Sequence, residues 1–147
     1  MSRSRDEGHQ LLDHVTDALI EAWGPTLERA LAQAGLGLFE TIADLNNVIP
    51  SEARKIRVSG HDELELVYNW LEELLLSFEI KRMIFSEFDI EKITNIDSSE
   101  LLKATAHGEH YDPDRHHGRV EVKGVTYHEM SVVRRAGRVT VRFLLDL

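Results

Sequence analysis

The chain has 147 residues, with 17 basic and 26 acidic side chains for a formal charge of −9, and 42% of it is apolar. A length near 150 residues predicts one domain that buries about two-thirds of its unfolded surface. The sequence has no cysteine, which excludes disulfide frameworks, thiolate zinc sites and thiol nucleophiles. No apolar run reaches the length of a membrane-spanning helix, and the polar opening MSRSRDEGHQ has no signal-peptide core. The expectation is a cytoplasmic protein with no membrane contact.

Residues 1–8 read as a loose tail and residues 9–147 as the domain. His14–Trp23 reads as a strand, ended by Gly24-Pro25, after which Thr26 caps a helix. That helix places Leu27, Leu31, Ala34, Leu38 and Ile42 on one face. Gly35 and Gly37 interrupt it, each costing about 1 kcal/mol relative to alanine, a cost that close packing against a sheet explains. Lys55–Ser59 is a short strand. Asp62 and Glu65 form a capping-box-like pair ahead of a second helix, with Leu64, Val67, Tyr68, Leu71, Leu74, Leu75 and Phe78 as its core stripe. Met83–Ile93 reads as a half-exposed strand, Asn95–Ser99 as a turn, Leu101–His107 as a strand and His107–His117 as a polar loop. Val120–His128, Met130–Arg134 and Arg138–Leu145 are three strands, the last two joined as a hairpin near Ala136-Gly137. This order predicts an α+β fold, two helices packed on one face of a largely antiparallel β-sheet.

Charge is unevenly placed. Residues 115–142 carry Arg115, Arg119, Lys123, Arg134, Arg135, Arg138 and Arg142 against only Glu121 and Glu129. The bulk negative charge opposes nonspecific adhesion to phosphate backbones, while this region offers local contacts to RNA or an acidic protein, or simply solvated strand faces.

Motifs for self-sufficient chemistry are missing. There is no G-x-S-x-G, no Walker loop and no G-x-G-x-x-G. His107, His110, His116 and His117 cluster and invite a zinc reading, but no H-E-x-x-H or H-x-H spacing fixes a site. Two carboxylates are more informative. Asp17 lies in an apolar strand beside Val15, Ala18 and Leu19, and Asp146 ends another strand. A buried carboxylate needs a cation, a hydrogen-bond network or solvent. If the two strands converge, Asp17, Asp146 and the terminal oxygens of Leu147 form an all-oxygen cluster suited to Ca²⁺, Mg²⁺ or Mn²⁺. Otherwise Asp17 pairs with a local cation and Asp146 is frayed and wet.

Several blocks resemble the archease family. They are His14-Val15-Thr16-Asp17 with Ala22 and Gly24, the helix from Thr26-Leu27-Glu28 to Leu38-Phe39, and Asn69-Trp70-Leu71-Glu72-Glu73-Leu74-Leu75. Further blocks are Gly108-Glu109, Asp112, Arg115-His116, Val122-Lys123-Gly124-Val125-Thr126-Tyr127-His128 and Leu145-Asp146-Leu147. The resemblance spans about residues 9–147 and implies the archease-like sandwich. It implies a protein cofactor, not an enzyme, that promotes guanylylation and repeated turnover of an RtcB-type RNA ligase, with tRNA reached through that ligase. It places the metal site at Asp17, Asp146 and Leu147, with calcium as the implied ion. Lys123, Arg115 and His116 are implied partner contacts; Arg115, His116, Tyr127 and His128 also read as organisers of the loop and sheet. The alternatives are a general chaperone or modulator of RNA-modifying enzymes, and a stand-alone metal-dependent RNA-processing enzyme.

Overall fold

The computed structural model describes residues 6–12 and 16–147. His14 and Val15, expected at the start of a strand, lie outside the described residues, as does most of the expected tail. The first strand, β1 (Gly8–Leu12), pairs antiparallel with β2 (Asp17–Gly24). Gly8, the last residue of the tail expected over residues 1–8, opens β1. Glu7 accepts hydrogen bonds from Arg29 at 2.6 and 2.9 Å and from Gln33 at 3.0 Å. Gly8 lies over the Trp23 indole, where an added Cβ would come within 2.7 Å of the ring.

Helix α1 (Leu27–Ile42) begins as expected, with the Thr26 hydroxyl accepting from the Arg29 amide at 3.2 Å. Leu31, Ala34, Leu38 and Ile42 are buried. Its two glycines permit close packing. A Cβ on Gly35 would meet the Phe88 ring at 2.8 Å, and one on Gly37 would meet Ile20 at 3.0 Å. A short 3-10 turn, Leu45–Asn47, leads to β3 (Glu52–Gly60).

Helix α2 (Glu63–Lys81) starts where Asp62 accepts from the Glu65 amide at 2.8 Å. The Glu65 carboxylate reaches one residue further back than in a standard capping box, to the His61 amide at 2.7 Å. Its core face is also turned from the expected stripe. Leu66 and Trp70 are fully buried, and Leu64 is exposed. The reason is contact on two sides, because α2 packs on β3 and also on β7, so burial exceeds one narrow stripe. The Trp70 indole donates to the Leu31 carbonyl at 2.9 Å, tying the two helices.

The remaining strands are β4 (Met83–Ile90), β5 (Thr94–Ile96), β6 (Ser99–His110), β7 (Gly124–Arg135) and β8 (Arg138–Asp146). Two tight turns carry positive φ at both central residues, Asp97-Ser98 and Ala136-Gly137, the geometry that matches strand twist in two-residue hairpins. The expected polar loop after His107 is shorter than predicted. β6 continues to His110, and Pro113–His116 forms one helical turn, α3. The break expected between His128 and Met130 is a bulge within one strand. Between Thr126 and Ser131, β7 advances five residues while β8 advances two, and Glu129 has φ of 60°.

All pairings are antiparallel, and the strands divide between two sheets: β1-β2-β8-β7, and β3-β6-β4 with β5 also on β6. Both long helices contact both sheets. One apolar cluster, including Phe39, Trp70, Phe85 and Phe143, joins both sheets and both long helices. The α+β class and the two helices packed on antiparallel strands are as expected. No helix among the described residues is long and apolar enough to cross a membrane.

Candidate functional site

The β2–β8 register sets the site. Along β8, Val139, Val141, Phe143 and Leu145 point into the core, so Thr140, Arg142, Leu144 and Asp146 point to the other face. Their partners on that face are Trp23, Glu21, Leu19 and Asp17 in turn. Two rungs from the end, Glu21 receives the Arg142 guanidinium at 2.9 Å, the usual cross-strand charge match. At the end, Asp17 stands directly opposite Asp146. Directly opposed residues have Cβ atoms about 5 Å apart, and like charges placed so are destabilising.

The surroundings of this pair are oxygen-rich and open. The Thr16 hydroxyl donates to Asp17 Oδ1 at 2.9 Å. Gly124 occupies the next place in the same rung, opposite Asp146, with open space where its Cβ would be. The Lys123 amide donates to the Asp146 carbonyl at 2.7 Å. Val122 is buried and the Lys123 side chain exposed, although both precede β7, where a strand from Val120 was expected. Leu147 packs half-buried against the core, which pins the chain beside Asp146. The fold thus brings together Asp17, Asp146, Leu147 and Lys123.

These donors fit a hard cation by type, since carboxylate and carbonyl oxygens suit Ca²⁺, Mg²⁺ and Mn²⁺. They fit it incompletely by number. No group of three or more His, Asp or Glu side chains positioned for a metal occurs among the described residues. Two carboxylates supply part of a shell, and backbone oxygens, water or a partner's atoms must supply the rest.

Arg115 and His116 lie elsewhere, in a second acidic centre built on Glu109. One Glu109 oxygen, Oε2, accepts from Arg115 at 2.7 Å, from the Ile49 amide at 2.8 Å and from His116 Nε2 at 2.9 Å. The Arg115 guanidinium is the largest influence holding the Glu109 carboxyl down at about 2, with the Ile49 and His116 bonds adding to it against the cost of burial. His116 Nδ1 accepts from the Asp112 amide at 2.9 Å. Nδ1 therefore carries no proton, and Nε2 is the donor to Glu109. The ring is 0% exposed and lies flat against Tyr111, centroids 5.7 Å apart.

His116, expected as a partner contact and also as an organiser of the loop, is buried here. Its ring reaches no surface, because it is spent on bracing α3 against β6. Arg115 keeps a partly exposed side chain but is committed to Glu109 and the Asn47 carbonyl. Glu109 had no assigned role in the sequence reading, although it stands next to Gly108. That glycine was the available signal: a Cβ there would overlap the Ile84 carbonyl oxygen, so β4 is forced close to β6 at this point. The histidines do not converge on one ion. His107 pairs with Asp89 at 3.0 Å and His110 with Glu52 at 3.3 Å, each on its own carboxylate.

The sequence matches a family model described as Archease protein family (MTH1598/TM1083) over residues 9–147. Protein archease of Methanopyrus kandleri is 40% identical over 136 residues, covering 92% of this chain and 96% of that protein. Protein archease of Sulfurisphaera tokodaii is 34% identical over 139 residues, covering 94% and 97%. The solution structure of protein 1598 of Methanobacterium thermoautotrophicum has a TM-score of 0.84 at 34% identity, covering 95% of this chain and 99% of that one. The crystal structure of an archease from Thermotoga maritima, described as a possible chaperone, has a TM-score of 0.58 at 15% identity, covering 100% and 98%, and speaks to fold alone.

Proposed function

The chain belongs to the archease family, and from that premise we propose that it is a protein cofactor of an RtcB-type RNA ligase, promoting ligase guanylylation and repeated turnover in tRNA splicing. The observation that carries this reading is the rung in which Asp17 faces Asp146, with the Lys123 amide on the Asp146 carbonyl. Asp17, Asp146 and the backbone oxygens of Leu147 hold a divalent ion, calcium by resemblance, with magnesium or manganese as alternatives of the same hard class. When bound, the ion supplies positive charge where phosphate oxygens carry their negative charge.

The chain's own residues do the placing. Asp17 and Asp146 present two carboxylates from adjacent strands, whose ladder keeps their separation short. The exposed Lys123 ammonium offers a compact point charge to a phosphate or an acidic ligase surface. Arg115 contributes its exposed edge, while His116 acts through Glu109 as a positioning residue. In this reading the protein turns over no substrate by itself, works in the cytoplasm, and meets tRNA only through the ligase.

The test is ligation by the purified cognate ligase with GTP and Mn²⁺, with and without this protein. Guanylylation and turnovers per ligase should rise, and Asp17→Ala or Asp146→Ala should abolish the rise with the fold intact by circular dichroism. Full stimulation by either variant would remove the metal rung from the function. Turnover without any ligase, or equal protection of unrelated aggregating proteins, would replace the reading altogether.

A further inference from the structure

The edge strand β1 is fastened to α1 by a chain of side chains that the carboxylate rung does not use. Arg29 donates through Nε and Nη2 to Glu7 Oε1. The Gln33 amide nitrogen donates to Glu7 Oε2 at 3.0 Å. Gln33 Oε1 faces His9 Nδ1 at 2.7 Å, and Glu40 Oε1 faces His9 Nε2 at 2.9 Å.

The donors in this chain can be assigned from its ends. Arginine only donates, so Glu7 Oε1 accepts. Glu7 therefore fixes the Gln33 amide with its nitrogen outward and its oxygen toward His9. That oxygen only accepts, so Nδ1 carries a proton. A Glu40 carboxylate only accepts, so the 2.9 Å contact calls for a proton on Nε2 too; that bond is in turn the main influence lowering the Glu40 carboxyl. A neutral imidazole satisfies one of these contacts and sets a lone pair against an acceptor oxygen at the other.

We infer that His9 is held as an imidazolium and that β1 is a proton-dependent strap across α1, which loosens as the ring loses its proton. The charged groups around the ring are consistent with this. From α1 come Glu40 and, through Gln33 and Glu7, Arg29. Arg119 lies beside Glu40, donating to its backbone carbonyl at 2.9 Å, and Asp44 acts on Glu40 with opposite sign. From β2 the residue opposite His9 is the uncharged Ala22, while Glu21 points to the other face and binds Gln10 and Arg142. Gly37 lies beside the ring, where an added Cβ would make an ordinary contact at 3.6 Å. The strap side chains Glu7, His9, Gln33 and Glu40 themselves line a cavity of about 730 Å³ between β1 and α1, together with Leu11 and Arg119. The backbone ladder to β2 holds the other side of the strand.

The sign follows from the bonding. A group that retains its proton through partners in the folded chain contributes stability at low pH, and that contribution fades as pH rises through its titration. The strap is tight in mild acid and loose in mild alkali.

The test is nitrogen-15 NMR of the imidazole in the full chain, with amide exchange protection of β1, from about pH 6 to about pH 9. Both ring nitrogens should be protonated at the acid end. The β1 protection factors should fall by about tenfold toward the alkaline end, the loss of one charge-assisted hydrogen bond. His9→Gln should abolish that pH dependence, and Glu40→Gln should make the ring give up its proton at lower pH. A neutral tautomer at about pH 6, or β1 protection that follows pH identically in wild type and His9→Gln, overturns the inference. If His9→Gln does not fold, the wild-type ring spectrum decides alone.

Discussion

Two acidic centres of this molecule solve the same electrostatic problem in opposite ways. Glu109 is nearly buried and collects three donors on one oxygen. The Asp17–Asp146 rung is more open, and its carboxylates face each other across adjacent strands. The first is complete within the chain and stabilises it. The second sets two carboxylates in one rung, and like charges directly opposed are unfavourable. A carboxylate's role is therefore read from what faces it, more than from its burial.

The comparison breaks most visibly at Glu109. Glu109→Ala strips the partner from Arg115, His116 and the Ile49 amide, and should cost about 3 kcal/mol in denaturant unfolding. The same group should dominate the acid limb. Its folded carboxyl sits at about 2, below the ordinary value of 4.5. Its stabilisation is therefore fully present above about pH 4.5 and is lost as pH falls toward 2, about 3 kcal/mol in all. Acid unfolding of wild type against Glu109→Gln checks this, and the variant's curve should be flatter in that window.

Divalent ion sharpens the other half. At a concentration one hundred times its dissociation constant, Ca²⁺ or Mn²⁺ should stabilise wild type by about 2.7 kcal/mol. It should leave Glu109→Gln as responsive as wild type and Asp17→Asn unresponsive, as measured by thermal unfolding with and without EDTA. Arg115→Gln should have a smaller effect, moving the acid transition to higher pH because the main influence lowering the Glu109 carboxyl is gone. The smallest expected effect is Asp146→Asn without metal, a gain of up to about 0.5 kcal/mol from relieved repulsion. A clear loss there would mean that Asp146 is satisfied within the chain, as Glu109 is.

Much of the local architecture was legible. Thr26 and Asp62 announce their helices because a cap is made within three residues. Ala136-Gly137 marks a hairpin because the turn needs positive φ. Gly35 and Gly37 read as packing glycines, and Phe88 and Ile20 are what they pack against. The Leu64 stripe missed Leu66 and Trp70 because α2 is touched by both sheets, which periodicity along one helix does not encode. β1 went unread because five residues that end in half-exposed Leu12 carry no clean alternation. Tyr127 sits in a bulge, stacked on Tyr68 at 4.4 Å, where a regular strand was expected.

The candidate site divides in the same way. Asp17 and Asp146 stood out individually, since aspartate is a poor strand residue, and Lys123 was rightly read as outward. Their meeting is decided by the β2–β8 register, which a slip of one residue would undo by turning one carboxylate to the core. The Glu109 hub is equally non-local, joining β6, α3 and the segment before β3. The sequence by itself determined helix starts, turns, apolar faces and the identity of the exceptional carboxylates, because those follow from interactions a few residues long. Only the tertiary structure decided that Glu109 meets Arg115, His116 and the Ile49 amide and that Asp17 stands opposite Asp146, because that depends on which strands become neighbours and in what register.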